Sequence, residues 1–103
     1  MNDKPFKKNF GNLKKKELEK YLFEFYSLYK KRPIKNNKGG MFFGNMFGLY
    51  YFLKKIRPKF IIESGVFKGQ TSWLIENVLP NSKILSIDPD LSKREYISKK
   101  IKY

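Results

Sequence analysis

Residues 60–90 read FIIESGVFKGQTSWLIENVLPNSKILSIDPD, and the fold turns on how this stretch is parsed. Lys59 to Glu63 is apolar on both sides of its alternation, the pattern of a short strand in a parallel sheet. Glu63-Ser64-Gly65-Val66-Phe67-Lys68-Gly69 makes a glycine-bearing turn. Gln70 to Leu79 has helical spacing, with Trp73, Leu74 and Val78 available for packing. Pro80-Asn81-Ser82 interrupts it, and Lys83 to Asp88 is a second apolar strand. Strand, turn, helix and strand within about 30 residues make one βαβ unit, whose crossover is right-handed almost without exception.

In such a unit, ligands sit beyond the carboxyl ends of the strands. Gly65 and Gly69 follow the first strand, and Asp88 ends the second. A carboxylate about 20 residues past a glycine turn is placed to accept hydrogen bonds from ribose hydroxyls. Glu63 ends the first strand and belongs to the same crevice. Each piece has a plainer reading. The two glycines serve a tight turn and close helix–strand packing equally well, and Asp88-Pro89-Asp90 also suits an ordinary turn. Asp88 and Asp90 have the spacing of a D-x-D metal pair, but nothing around them suggests a phosphate donor, so no metal is expected. Order and spacing together favour a nucleoside-binding site.

Outward from this unit, the chain is helical on the amino-terminal side. Residues 1–11 read as a flexible basic arm. A helix is expected to start at the N-cap candidate Asn12 and to carry the stripe Leu18, Tyr21, Leu22, Phe25, Leu28 and Tyr29. Pro33 stops it, and PIKNNKGG forms a loop over 33–40. A second, largely buried helix is expected over about 43–56, with Leu49, Phe52, Leu53 and Ile56 on one face. Residues 12–58 thus form a helical extension ahead of the βαβ part at 59–103. On the carboxyl side, Ser92-Lys93-Arg94-Glu95 has the capping-box pattern and is expected to open a C-terminal helix.

Composition limits the chemistry. The chain has 103 residues with no Cys, His or Ala. Disulfides, thiolate catalysis, imidazole bases and His- or Cys-ligated metals are therefore excluded. The net charge is +14, from 23 basic and 9 acidic residues. Twenty of the cations are Lys and three are Arg. Specific nucleic-acid contacts favour Arg, so a nucleic-acid partner is not expected despite the charge. Residues 60–90 carry two basic and four acidic side chains, which makes them the least basic stretch. No apolar signal-peptide core or membrane span is present, so a cytoplasmic location is expected.

FIIESGVFKGQTSWLIENVLPNSKILSIDPD resembles the front end of class I S-adenosylmethionine (SAM)-dependent methyltransferases. It is most similar to the bacterial group related to cephalosporin-hydroxylase-like proteins. That family's first motif is E/D-x-G-x-G-x-G. Here it reads Glu63-Ser64-Gly65-Val66-Phe67-Lys68-Gly69, with Phe67 in place of the middle glycine. The acid ending the family's second strand is matched by Asp88. The segment RPIKNNKGGMFFGNMFGLYYFLKKIRPK looks like the family's N-terminal helical extension, so the resemblance covers roughly residues 26–103.

The resemblance implies SAM as cofactor. Gly65 and Gly69 would line its methionine part, Glu63 would lie near its amino group or orient the turn, and Asp88 would hold the ribose. The implied function is the cofactor-binding N-terminal part of a methyltransferase acting on a small-molecule or saccharide substrate. No catalytic base can be named.

The expected fold class is α/β: two N-terminal helices, a Rossmann-like βαβ unit and a C-terminal helix, an incomplete class I methyltransferase fold. The family's sheet is wider than two strands. The chain is therefore expected to be a truncated part of a longer enzyme that self-associates when isolated. Three other readings stand beside this one. They are a nucleotide- or dinucleotide-binding Rossmann fragment without methyltransferase activity, a small basic nucleic-acid-binding protein stacking bases on Tyr26, Tyr29, Tyr50 and Tyr51, and a peripheral membrane module using the first helix.

Overall fold

A computed structural model of the chain describes residues 15–103. The expected basic arm at 1–11 and the N-cap at Asn12 lie outside the described residues. The chain divides into two units at Lys30–Lys31. In the first unit, helix α1 spans Lys15–Tyr29. Phe25 is its buried residue, and its ring meets that of Tyr29 at a centroid distance of 5.6 Å. Lys30 donates its amide to Tyr26 O as the helix ends, and Pro33 follows soon after. Leu22, expected on the apolar stripe, is exposed.

The second unit is a small α/β domain. Helix α2 spans Phe43–Ile56, strand β1 Phe60–Ser64, helix α3 Gln70–Val78 and strand β2 Lys83–Ile87. The strands are parallel and in register, with Phe60 opposite Lys83 and Ser64 opposite Ile87. Helices α2 and α3 pack together. Leu74 and Ser72 of α3 are fully buried, and Trp73, Ile75 and Val78 complete its apolar surface. Among the described residues no helix is long and apolar enough to cross a membrane.

Helix α2 has the expected span but buries a different face. Met46, Tyr50 and Leu53 are inside, whereas Phe52 and Ile56 are exposed. Phe47, Leu49, Tyr50, Tyr51 and Phe52 make this helix apolar all round, so periodicity alone could not choose the inner face.

The sheet also buries one face only. Ile84, Ser86 and Glu63 point to the covered side, whereas Phe60, Ile62 and Ile87 are exposed on the other. Parallel strands are usually covered on both faces. The two-sided apolar pattern of the strands is therefore only half used among the described residues.

The expected C-terminal helix does not form. The Asp90 carboxylate accepts from both the amide and the hydroxyl of Ser92, so Ser92 is held in a local turn rather than capping a helix. The amides of Glu95 and Tyr96 donate to Lys68 O at 2.8 and 2.9 Å. These bonds hold the segment against the turn that follows β1. The chain then runs back to the sheet. Lys102 forms a parallel bridge with Leu85, donating to Ile84 O at 3.0 Å and accepting from Ser86 N at 2.8 Å. The edge of β2 away from β1 is thereby paired at one point.

Candidate cofactor-binding cleft

Because β1 and β2 are in register, their carboxyl ends open at one level. Gly65 donates its amide to Ile87 O at 2.8 Å, which draws the turn across the end of β2. Asp88, the next residue after β2, then meets that turn. Its Oδ2 accepts from Val66 N at 2.7 Å and Phe67 N at 3.2 Å. Its Oδ1 accepts from Asp90 N at 2.8 Å. These bonds hold the Asp88 carboxyl below the usual range, the Asp90 amide contributing most, then Val66 and Phe67, with Lys93 adding to the same effect. Asp88 is thus a clamp on the glycine turn, and it also lines the cleft.

Glu63 is set deeper. Its Oε1 accepts from the hydroxyls of Ser72, on α3, and Ser86, on β2. One carboxylate oxygen therefore ties together both strands and the crossover helix. Oε2 is buried and has no hydrogen-bond partner among the described residues. Burial pushes the Glu63 carboxyl above its ordinary value. The two serine hydroxyls oppose that shift, and the nearby Asp88 charge reinforces it.

The two glycines of the motif have different jobs. Gly65 has φ +90, and a Cβ there would meet nothing within 4 Å. It is exposed and lines the cleft. Gly69 has φ +98, and a Cβ there would lie 2.5 Å from Tyr96 O. It is buried beneath the C-terminal segment and is not among the cleft-lining residues. Glu63, Gly65 and Asp88 are therefore brought to one cleft, and Gly69 is the packing glycine beside it. Phe67 stands where the pattern E/D-x-G-x-G-x-G has its middle glycine, and it takes the left-handed conformation that glycine favours, with φ 50. Its ring lies beside Gly39, where an added Cβ would sit 3.6 Å away.

The cleft measures about 600 Å³. Its far wall comes from Asn37, Gly39 and Gly40 of the loop and from Asn45 and Leu49 of α2. The loop is fastened by a residue the sequence reading passed over. Gln70 is buried at the start of α3, and its side-chain amide makes both halves of a pair with Ile34. Oε1 accepts from Ile34 N at 3.1 Å, and Nε2 donates to Ile34 O at 2.9 Å. Lys68 adds a bond from Nζ to Asn36 O at 2.6 Å. The only sequence signal for Gln70 is a long polar amide at the head of a helix that is otherwise to be buried.

Asp90 turns away to Ser92. Among the described residues no group of three or more His, Cys, Asp or Glu is arranged to hold a metal ion. No protein-family model, curated protein or solved structure matches this chain.

Proposed function

We propose that the chain is the cofactor-binding part of a SAM-dependent methyltransferase, with a small-molecule or saccharide methyl acceptor. One observation carries the reading. At the carboxyl ends of two parallel strands, Glu63 lines a cleft beside an open glycine backbone, and one oxygen of its buried carboxylate has no partner among the described residues. An unpartnered buried acceptor is costly, and a cationic donor is the ligand group that would relieve it.

These residues fit SAM. Glu63 Oε2 would receive its ammonium group, and the open backbone at Gly65 would lie along its methionine part. Asp88 would receive one ribose hydroxyl on the Oδ1 lone pair that the turn leaves free. Bound there, the cofactor supplies an electrophilic methyl group on sulfur. The chain's own contribution is to hold the cofactor in one orientation, which is where most of the acceleration of a methyl transfer arises.

The dinucleotide alternative is disfavoured by the same geometry. A dinucleotide's pyrophosphate needs free backbone amides at the glycine turn. Here the Val66 and Phe67 amides are already bonded to Asp88. Two carboxylates, Glu63 and Asp88, would also face the pyrophosphate.

The test is calorimetric titration of the 103-residue chain with SAM, S-adenosylhomocysteine and the nicotinamide dinucleotides. The two adenosyl compounds should compete for one site. Asp88→Ala should weaken both by about tenfold or more, the scale of a lost hydrogen bond to a charged group. Dinucleotide binding with no SAM binding would overturn the assignment.

A further inference from the structure

The amino ends of the strands carry a second cleft with the opposite electrostatics. It measures about 590 Å³ and is lined by Arg57, Lys59, Phe60, Ser82 and Lys83 among others. Its frame is fixed by two bonds. Ser82 donates its hydroxyl to Pro58 O at 2.6 Å, and Lys83 donates its amide to Lys59 O at 2.9 Å. Register places Phe60 directly beside Lys83.

Three cations therefore line one concave surface, and among the described residues no acid lines it. The acids of residues 31–103 are all engaged elsewhere. Glu63 holds Ser72 and Ser86, and Glu76 shares a hydrogen bond with Tyr96. Asp88 holds the glycine turn, Asp90 holds Ser92, and Glu95 pairs with Lys68 at 3.4 Å. Among the described residues Arg57, Lys59 and Lys83 make no ion pair.

A second, independent feature concerns the backbone. Arg57 ends α2 in the left-handed conformation, with φ 49 and ψ 57, and donates its amide to Leu53 O at 2.9 Å. Glycine is the residue that takes this position without strain. An arginine held there at a conformational cost, with its side chain on the rim of a basic cleft, points from an observed outlier to a binding role.

We propose that this cleft binds a phosphate group, presented by a soluble phosphorylated small molecule or by a lipid headgroup. The guanidinium fork matches phosphate oxygens in pairs, and two ammonium groups balance the remaining charge. Phe60, more than half exposed, offers an apolar wall to the organic part that carries the phosphate. The site lies at the other end of the strands from the SAM cleft and does not depend on it.

The experiment titrates the 103-residue chain with inorganic tripolyphosphate at fixed ionic strength. In parallel, it measures sedimentation with neutral vesicles and with vesicles containing phosphatidic acid. Arg57→Gly is the central variant, because it removes the guanidinium and relieves the backbone strain together. We expect it to weaken binding about tenfold while raising the melting temperature by about 4 °C. Lys83→Gln should weaken binding by about threefold or more, and Lys38→Gln, on the loop beside the cleft at the other end of the strands, should leave it unchanged.

Tripolyphosphate binding with this dependence supports the proposal and assigns a soluble source. Binding only to phosphatidic acid vesicles, with the same dependence, supports it and assigns a lipid source. Equal losses in Arg57→Gly, Lys83→Gln and Lys38→Gln would show attraction to the overall charge alone and overturn it. So would the absence of binding to both probes.

Discussion

The two ends of the parallel strand pair use charge in opposite ways. At the carboxyl end, the acids are committed to the protein itself. Asp88 clamps the glycine turn and Glu63 joins two strands to a helix, leaving one oxygen to spare. At the amino end, Arg57, Lys59 and Lys83 make no ion pair among the described residues. Site and fold are therefore coupled at one end and separable at the other. Substitutions at the carboxyl end should move stability and binding together, whereas those of the amino-end lysines should move binding alone.

The sharpest way to break this contrast is Gly69→Ala. The new methyl would sit 2.5 Å from Tyr96 O at a backbone φ of +98. The backbone of the C-terminal segment would have to move, and a loss of about 3 kcal/mol is expected in denaturant unfolding. SAM affinity should fall as well, because Glu95 and Tyr96 are bonded to the same turn. A stability loss below about 1 kcal/mol would show that this junction yields and that the turn is not rigidly held.

Gly65→Ala should cost less, about 1–2 kcal/mol, because only the positive φ opposes it. Its methyl would project into open space in the cleft. Calorimetry should therefore show a larger loss of cofactor affinity than Gly69→Ala gives per unit of stability lost. The reverse order would move the ligand away from Gly65.

The pH dependence separates the two acids. Glu63 is raised above 4.5 by burial. Its favourable contribution is complete below 4.5 and is lost as pH rises through its folded value. Asp88 and Asp90 are lowered from 3.8 by their hydrogen bonds, the Asp90 amide leading for Asp88 and the Ser92 hydroxyl for Asp90. Their contribution is complete above 3.8 and is lost as pH falls through their folded values. Unfolding of wild type and Glu63→Gln across pH 4 to 8 isolates the first effect. The stability of the variant relative to wild type should rise with pH. A flat difference would mean that the Glu63 carboxyl binds its proton equally well folded and unfolded, so that burial does not raise it.

The smallest effect is expected at the amino end. Lys59→Gln and Lys83→Gln should each change unfolding stability by no more than about 0.5 kcal/mol, as is usual for exposed cations. A larger loss from either would mean that this end is fastened by charge after all.

Much of this arrangement could be read from the residues. The change from helical to alternating periodicity near Lys59 located β1, and the spacing of Gly65 and Asp88 brought them to the same cleft. What could not be read was decided by competition between local and distant partners. Ser92 and Glu95 form a good helix-opening pattern, but Asp90 two residues earlier captures Ser92. Lys68, distant in sequence, captures the Glu95 amide. The inner face of α2 was hidden because most of its faces are apolar. The position of Asp88 at the cleft was legible but its part as a clamp was not, since nothing in Asp-Pro-Asp announces that Val66 and Phe67 will aim their amides at it.

The Gln70–Ile34 pair has a consequence for motion. A side-chain amide that accepts from a backbone amide and donates to the same residue's carbonyl imitates one rung of a sheet. Ile34 belongs to no helix or strand, yet it is buried and its amide is bonded. In hydrogen exchange it should behave as part of the core, slow beside the fast amides of its neighbours. That single rung, with Lys68 on Asn36, fixes where the loop bearing Asn37 and Gly39 begins. Opening it would free one wall of the cleft while α3 stayed folded, so ligand entry can be governed by a local event far cheaper than unfolding.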